Sequence, residues 1–249
     1  MTGWVDSHCH LQVTSDPDAL LARAHDAGVD WIMCPGIDVE TSEAAAALAA
    51  RHATVLWSAG LHPHDASAWG RVGDRISTLA NDAQAIGECG LDYYRNLAPR
   101  EDQMVAFRAQ LELAADLGKP IIIHCRDAFA DVHAELESAA LGSAAILHCW
   151  TGGPRWTKRF RELGVTFSFA GPITYPTGDT VRFAAAEAPP GSTMVETDTP
   201  YLTPPPHRDQ PNEPANVVRV GEALAEVWGV PLDEVASSTS QVAAAVFGR

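Results

Sequence analysis

Histidines and carboxylates recur in this sequence at the ends of short apolar runs, several of them in pairs one residue apart. The first pair is His8 and His10, separated by Cys9. In an extended chain, residues two apart share a face, so both imidazoles can reach one metal ion. Asp6 shares that face, one step deeper. Later apolar runs end in Glu88, His124, His148 and Asp198. Three histidines suffice for a zinc site; His148, Glu88 and Asp198 in addition supply donors for two ions. A carboxylate such as Glu88 can bridge two ions roughly 3.5–4 Å apart. The alternative is that each group is separately a buried, hydrogen-bonded residue. It requires several ionisable side chains in apolar strands, each with its own partner, and charged groups are rarely buried unpaired. His8, His10, Glu88, His124, His148 and Asp198 are therefore the candidate metal ligands, and metal-assisted hydrolysis is the expected chemistry.

Other polar residues fall near these positions. His62 and His64 flank Pro63 and are expected to contact substrate or to orient ligands, with His62 the stronger candidate. Glu196 and Asp198 again lie two apart, an arrangement suited to proton transfer, although a structural ion pair for Glu196 is equally compatible. Arg126 follows His124 closely enough to bind a phosphate. The basic run Arg155, Lys158, Arg159 and Arg161 reads instead as a solvated helix face. His25, His52 and His133 fall on predicted helices and read as surface residues. Serine and cysteine nucleophiles are disfavoured: there is no G-x-S-x-G elbow, and strand alternation turns Cys125 and Cys149 away from the neighbouring histidines.

The elements that must position these groups are legible as a series. Apolar, β-branched runs cover 4–11, 31–37, 55–61, 85–91, 120–125, 145–150, 166–170 and 194–201. Segments of helical periodicity separate them, most clearly 100–117, where Met104, Phe107, Leu111 and Ala114 form an apolar stripe and Gly118 a C-cap. Ser15 or Asp16 before Pro17 is a helix start and Gly28 a stop. Repeated strand–helix alternation predicts an α/β fold of the (β/α)8 TIM-barrel type, in a single domain spanning 1–249. A doubly wound sheet is the alternative, but no glycine-rich dinucleotide motif or P-loop calls for it. The irregular stretch 199–212, with three consecutive prolines, would overhang the barrel mouth after the last strand. Beyond it, 214–228 and 232–247 read as closing helices.

Composition narrows the class of function. The formal net charge is -15 across 249 residues, which argues against a protein that coats phosphate backbone and permits an enzyme gripping a short or terminal segment. No run of roughly 20 apolar residues suggests a membrane span. A cleaved leader is not expected, because its removal would take His8 and His10 with it. The five cysteines form no C-x-x-C pair, and their odd number fits reduced thiols in a cytoplasmic protein better than a disulfide framework. A monomer is expected.

The ordered motifs DSHCHL, GLHPH, IGECGLDYY, KPIIIHCRDA, HCWTGG, ETDTPYLTP and PNEP, spread over nearly the whole chain, resemble the TatD family of metal-dependent deoxyribonucleases. The resemblance implies a TIM barrel with two divalent ions, one on His8, His10, Glu88 and Asp198, the other on Glu88, His124 and His148. It also implies phosphodiester hydrolysis of single-stranded DNA or RNA from the 3′ end. Asp198 would take the proton of the attacking water, and Arg126 and His62 would position phosphate oxygens. The ligand types do not choose among Mg2+, Mn2+ and Zn2+. The rival is a same-fold hydrolase of a carbonyl substrate: an esterase, amidase or aminoacyl-tRNA deacylase. Relatives that bridge their metals with a carboxylated lysine need a lysine at a strand end. Lys119 and Lys158 are the lysines present, and neither is so placed. A non-catalytic barrel would be expected to lack ligands. One departure is Gln241-Val242 where family members often carry asparagine, which bears on packing of the last helix.

Overall fold

The computed structural model describes residues 3–249. Strands and helices alternate along the chain: β1 (Trp4–Asp6), α1 (Pro17–Asp26), β2 (Val29–Pro35), α2 (Val39–Arg51), β3 (Val55–Ala59), α3 (Trp69–Ala80), β4 (Ala85–Asp92) and α4 (Arg100–Leu117). They continue as β5 (Ile121–Arg126), α5 (Phe129–Ala139), β6 (Ala145–Leu147), α6 (Gly153–Glu162), β7 (Thr166–Phe169), α7 (Asp179–Glu187), β8 (Thr193–Val195), α8 (Val217–Trp228) and α9 (Leu232–Phe247). Among the described residues the strands form one eight-stranded sheet in the order β1 to β8, with parallel pairing. Ser7 N–H donates to Val195 O at 3.1 Å and Asp198 N–H to His8 O at 2.9 Å, joining the last strand back to the first. The fold is the (β/α)8 barrel.

Local sequence explains where the helices begin and end. Asp16 caps α1 by accepting from Ala19 N–H at 3.0 Å, with Pro17 in the first turn. Asp38 and Thr41 make a reciprocal capping box on α2. Gly118, at φ 61°, ends α4 in the left-handed region that glycine enters without steric penalty.

Backbone contacts divide the chain into two compact units. The first comprises the chain through Cys34 with Cys149–Lys158 and Phe167–Arg249. In it Trp31 meets Phe247 of α9 edge to face at 6.0 Å, and Ser240 Oγ donates to Gly3 O at 2.8 Å. Gln241, at the departure from the family pattern, is exposed and bonds Ser237 on its own helix, so it carries no packing load.

The second unit comprises Pro35–His148 and Arg159–Thr166. Ile121, Ile122 and Ile123 of β5 are fully buried, as a strand covered on both faces requires. Helix α4 does more than supply an apolar stripe. Phe107, Leu111 and Ala114 are buried as expected and Met104 is half-buried, but Gln103 and Gln110 are buried beside them. Gln110 accepts from Leu61 N–H at 2.8 Å and donates to Leu61 O at 3.1 Å. Gln103 accepts from Asp92 N–H at 2.8 Å and donates to Asp92 O at 3.2 Å. The two amides satisfy buried backbone groups and fix the chain just before His62 and at the end of β4.

The structure corrects three details. The strands at 4–11, 55–61, 145–150 and 194–201 are shorter than expected, ending at Asp6, Ala59, Leu147 and Val195, because their last residues turn outward as loops. His133, expected at the surface, is buried on α5 with its ring 5.1 Å from Phe160; α5 turns that face inward. His52, likewise expected at the surface, is half-buried as the C-cap of α2, while His25 is exposed. Among the described residues no helix is long and apolar enough to cross a membrane.

Candidate metal centre

Each unit gathers its own cluster of donors just past the C-terminal ends of its strands. In the first unit, His8 and His10 follow β1 on a segment tied to both sides. Cys9 N–H donates to Met33 O at 2.9 Å and His10 N–H to Thr199 O at 2.8 Å. The segment bends at Ser7 and His8 after the strand ends, and these two ties bring both rings together, with their Nε2 atoms 3.1 Å apart. Asp198 Oδ1 lies 3.5 Å from His10 Nε2 and 3.8 Å from His8 Nε2. These three residues offer ligand atoms all within 4.8 Å of one another.

Asp198 has φ 57°, in the left-handed region that asparagine and aspartate tolerate better than other side chains. Asp6 helps hold it there. Its carboxylate accepts from Thr197 N–H at 2.9 Å, from Thr197 Oγ1 at 2.6 Å and from His8 N–H at 3.4 Å, so it ties the residue before Asp198 to the first histidine. Burial pushes the Asp6 carboxyl up to about 8, against the lowering effect of the Thr197 bonds. Glu196 is also buried and accepts from Cys149 N–H at 2.9 Å. It braces the backbone beside His148.

In the second unit, one oxygen of Glu88 gathers three rings. Oε1 lies 3.0 Å from His148 Nε2, 3.2 Å from His124 Nδ1 and 3.3 Å from His62 Nε2. Glu88 is 3% exposed. Burial alone would raise its pKa, but the charges of His148 and His62 and hydrogen bonds from His124 and His148 hold it well below the usual carboxylate range. The glycines around Glu88 explain its placement. A register shift between Ile86 and Cys89 marks a bulge in β4, the device by which strands re-aim a side chain. Gly87 and Gly90 have φ 105° and 127°, and a Cβ on either would come within 2.4 Å of a β5 carbonyl oxygen. Only glycine fits there.

His124 uses both ring nitrogens. Nδ1 faces Glu88, and Nε2 lies 3.1 Å from Asp92 Oδ2. Asp92 also takes His64 Nε2 at 3.0 Å and the Arg95 N–H at 2.7 Å. Burial would raise Asp92, but the hydrogen bonds from His124, Arg95 and His64 carry it well below its ordinary value. For His124, burial works to lower the pKa, and its bonds to Asp92 and Glu88 outweigh that and raise it. A carboxylate on the far nitrogen of a ligand histidine fixes its tautomer and ring plane.

The reading of the sequence passed over Asp92; its signal was the position four residues beyond Glu88, at the end of the same strand. Asp92→Asn is expected to weaken metal binding at this cluster about 10- to 100-fold, measured by calorimetric titration with a divalent ion. Unchanged affinity would assign Asp92 to α4 packing alone.

The remaining candidates divide. His62 belongs to the Glu88 cluster; burial lowers its pKa despite the nearby carboxylate. Its Nδ1 accepts from His64 N–H at 3.2 Å, which presents Nε2 to Glu88. His64 bonds Asp92 and stacks edge-on to His62 at 4.2 Å, so it supports the cluster. Arg126 is exposed, with its guanidinium 4.1 Å over the ring of Tyr94. None of the cysteines forms a disulfide among the described residues. Burial pushes Cys34 up to about 12 and Cys9 and Cys89 well above a thiol's ordinary value, which suits small apolar side chains rather than thiolate ligands. Arg155, Lys158, Arg159 and Arg161 are exposed, and Lys158 pairs with Glu187 at 3.2 Å.

Imidazole nitrogens and carboxylate oxygens converging at about 3 Å are a donor set suited to first-row divalent metals. The comparisons with known proteins agree with that chemistry. The family model described as TatD related DNase matches residues 5–248. A 3′-5′ ssDNA/RNA exonuclease TatD of Erwinia amylovora is 35% identical, with 95% of each chain covered. The metal-dependent hydrolase YabD of Bacillus subtilis is 34% identical over 97% of this chain and 98% of its own. Among solved structures, the TatD homologue YjjV of Escherichia coli superposes with a TM-score of 0.89 at 29% identity, covering 99% of this chain and 98% of its own. With the family model matched almost end to end and relatives above 30% identity over nearly full length, this chain belongs to the TatD-related DNase family.

Proposed function

We propose that this protein is a metal-dependent phosphodiesterase that trims single-stranded DNA or RNA from the 3′ end, acting as a single hydrolase domain with two divalent ions. The observation that carries the reading is the gathering of His62, His124 and His148 around one oxygen of Glu88 at 3.0–3.3 Å. A relative named as a 3′-5′ ssDNA/RNA exonuclease at 35% identity supports the choice of substrate. Glu88, His124 and His148 would hold one ion, and His8, His10 and Asp198 the other. In the ligand scheme expected from sequence, Glu88 serves both.

Bound divalent metal supplies Lewis acidity, lowering the pKa of water toward neutrality and offsetting phosphate charge. The residues do the rest. Asp198, with 14% of its side chain exposed in its left-handed turn, accepts the proton of the attacking water. His62 orients a phosphate oxygen or the Glu88 carboxylate through Nε2. Arg126, spread over Tyr94, offers its outer N–H groups to a second phosphate. The free thiols suit a reducing compartment, and we place the protein in the cytoplasm as a monomer.

The test incubates metal-loaded protein with a 5′-labelled single-stranded oligonucleotide, with and without chelator. A ladder that shortens from the 3′ end and disappears with chelator is the expected result. Hydrolysis of a carboxylic ester or aminoacyl-tRNA, with the oligonucleotide left intact, would replace this reading with the carbonyl hydrolase.

A further inference from the structure

At the edge of the His8–His10–Asp198 cluster the first unit displays an aromatic ring that it does not bury. Tyr201 is 57% exposed, and its ring stands edge-on to His10 with 6.2 Å between centroids. The backbone that presents it is held on both sides. Tyr201 N–H donates to Asp198 O at 2.8 Å, and Tyr201 O accepts from Asn212 Nδ2 at 2.8 Å. Asn212 is buried, and its Nδ2 also donates to Thr197 O at 2.9 Å. Its Oδ1 accepts from Glu213 N–H and Asn216 Nδ2, each at 2.9 Å. The backbone that carries the exposed ring is thus held three residues after the candidate base.

The same loop returns a cation to this region. Arg208 lies 3.7 Å over the ring of Tyr175. The turn that leads into Tyr175 packs against the residue after Tyr201, so closely that a Cβ on Gly171 would collide with Leu202 O. In a chain of net charge -15, an exposed guanidinium on this loop is a local attraction for an anionic strand, and a guanidinium stacked on a ring can still direct N–H groups to a phosphate.

We propose that the loop after β8 forms a nucleotide subsite, in which Tyr201 is a stacking platform for an unpaired base and Arg208, laid on Tyr175, binds a backbone phosphate of the same strand. The proposal rests on the phosphodiesterase reading and deepens it by accounting for single-strand preference. A base in a duplex has both faces covered by its neighbours, whereas an unpaired base can stack on an aromatic side chain whatever its identity. The triple proline in 199–212 and the Asn212 bonds give the loop the stiffness such a platform requires.

The test compares metal-loaded wild type and variants on two strands of equal length, an ordinary single-stranded oligonucleotide and one built of abasic units. Wild type is expected to cleave the base-bearing strand with a kcat/KM about 10-fold or more higher, the scale of one base–aromatic stack. Tyr201→Leu should bring that ratio close to one, and Tyr201→Phe should keep it. Arg208→Gln should weaken equilibrium binding of a fluorescent strand and flatten the slope of log affinity against log salt by about 0.7, the value for one phosphate contact on a single strand. A ratio unchanged in Tyr201→Leu, or a loss equal on both strands, would overturn the subsite while leaving the phosphodiesterase standing. If wild type cleaves neither strand but hydrolyses a carboxylic ester, both proposals fall together.

Discussion

Replacing Asp198 with asparagine is expected to lower kcat by roughly 100- to 10,000-fold, the range that a positioned general base contributes, with no loss of fold. The expectation follows from two features of the residue. Its carboxylate faces His10 and His8 at 3.5 and 3.8 Å, so it is placed where an attacking water would need to lose a proton. Its backbone sits at φ 57°, which asparagine adopts as readily as aspartate, and its N–H bond to His8 O is independent of the side chain. The variant keeps a carbonyl oxygen as a ligand and loses the ability to accept the proton. Circular dichroism and thermal unfolding check the fold, and steady-state cleavage of the labelled oligonucleotide checks the rate. Activity within a few-fold of wild type would remove Asp198 from proton transfer.

The second large effect is expected at Glu88. Three imidazoles share one of its oxygens, and the charges and hydrogen bonds of the surrounding histidines keep it ionised against the opposing effect of burial. Glutamine preserves the shape and removes the charge that a divalent ion would neutralise. Metal affinity should fall by at least about 100-fold, since even outer partners of a ligand are worth 10- to 100-fold. Cleavage of the oligonucleotide should disappear at metal concentrations that saturate wild type. A readout independent of turnover is available. Ion bound to the folded state stabilises it by mass action, so a 100-fold loss of affinity removes about 2.7 kcal/mol of metal-dependent stabilisation at saturating ion. The Tm of wild type should rise with added metal and that of Glu88→Gln should not. An equal rise in both proteins would mean that Glu88 is not a ligand.

Much of this architecture is legible in the sequence because its signals are local. The exact span of α4 follows from apolar periodicity and Gly118, and α9 is bounded by Pro231 and Gly248. The metal-ligand candidates announce themselves through residue type and strand-end position, since a barrel delivers all its strand ends to one side. Other features depend on partners distant in sequence. Asp92 looks like the last residue of a strand until His124 and His64 are seen on its oxygen. Asp6 accepts from the backbone of His8, two residues on, but its shortest bond is to Thr197, 191 residues away. Gln103 and Gln110 bond strand ends that nothing near them in sequence identifies. His133 was misplaced for the same reason: helix phase alone does not say which face meets Phe160.

The sequence by itself therefore determined the barrel, the family and the ligand types, because each depends on periodicity and on chemically distinctive residues at regular positions. Only the tertiary structure decided how those residues meet. It brought three rings to one Glu88 oxygen through a glycine bulge, put a carboxylate behind His124, and left Tyr201 displayed on a pinned turn. Those outcomes depend on hydrogen bonds and close backbone approaches between segments far apart in the chain, and no local pattern encodes the distance between two side chains that meet only after folding.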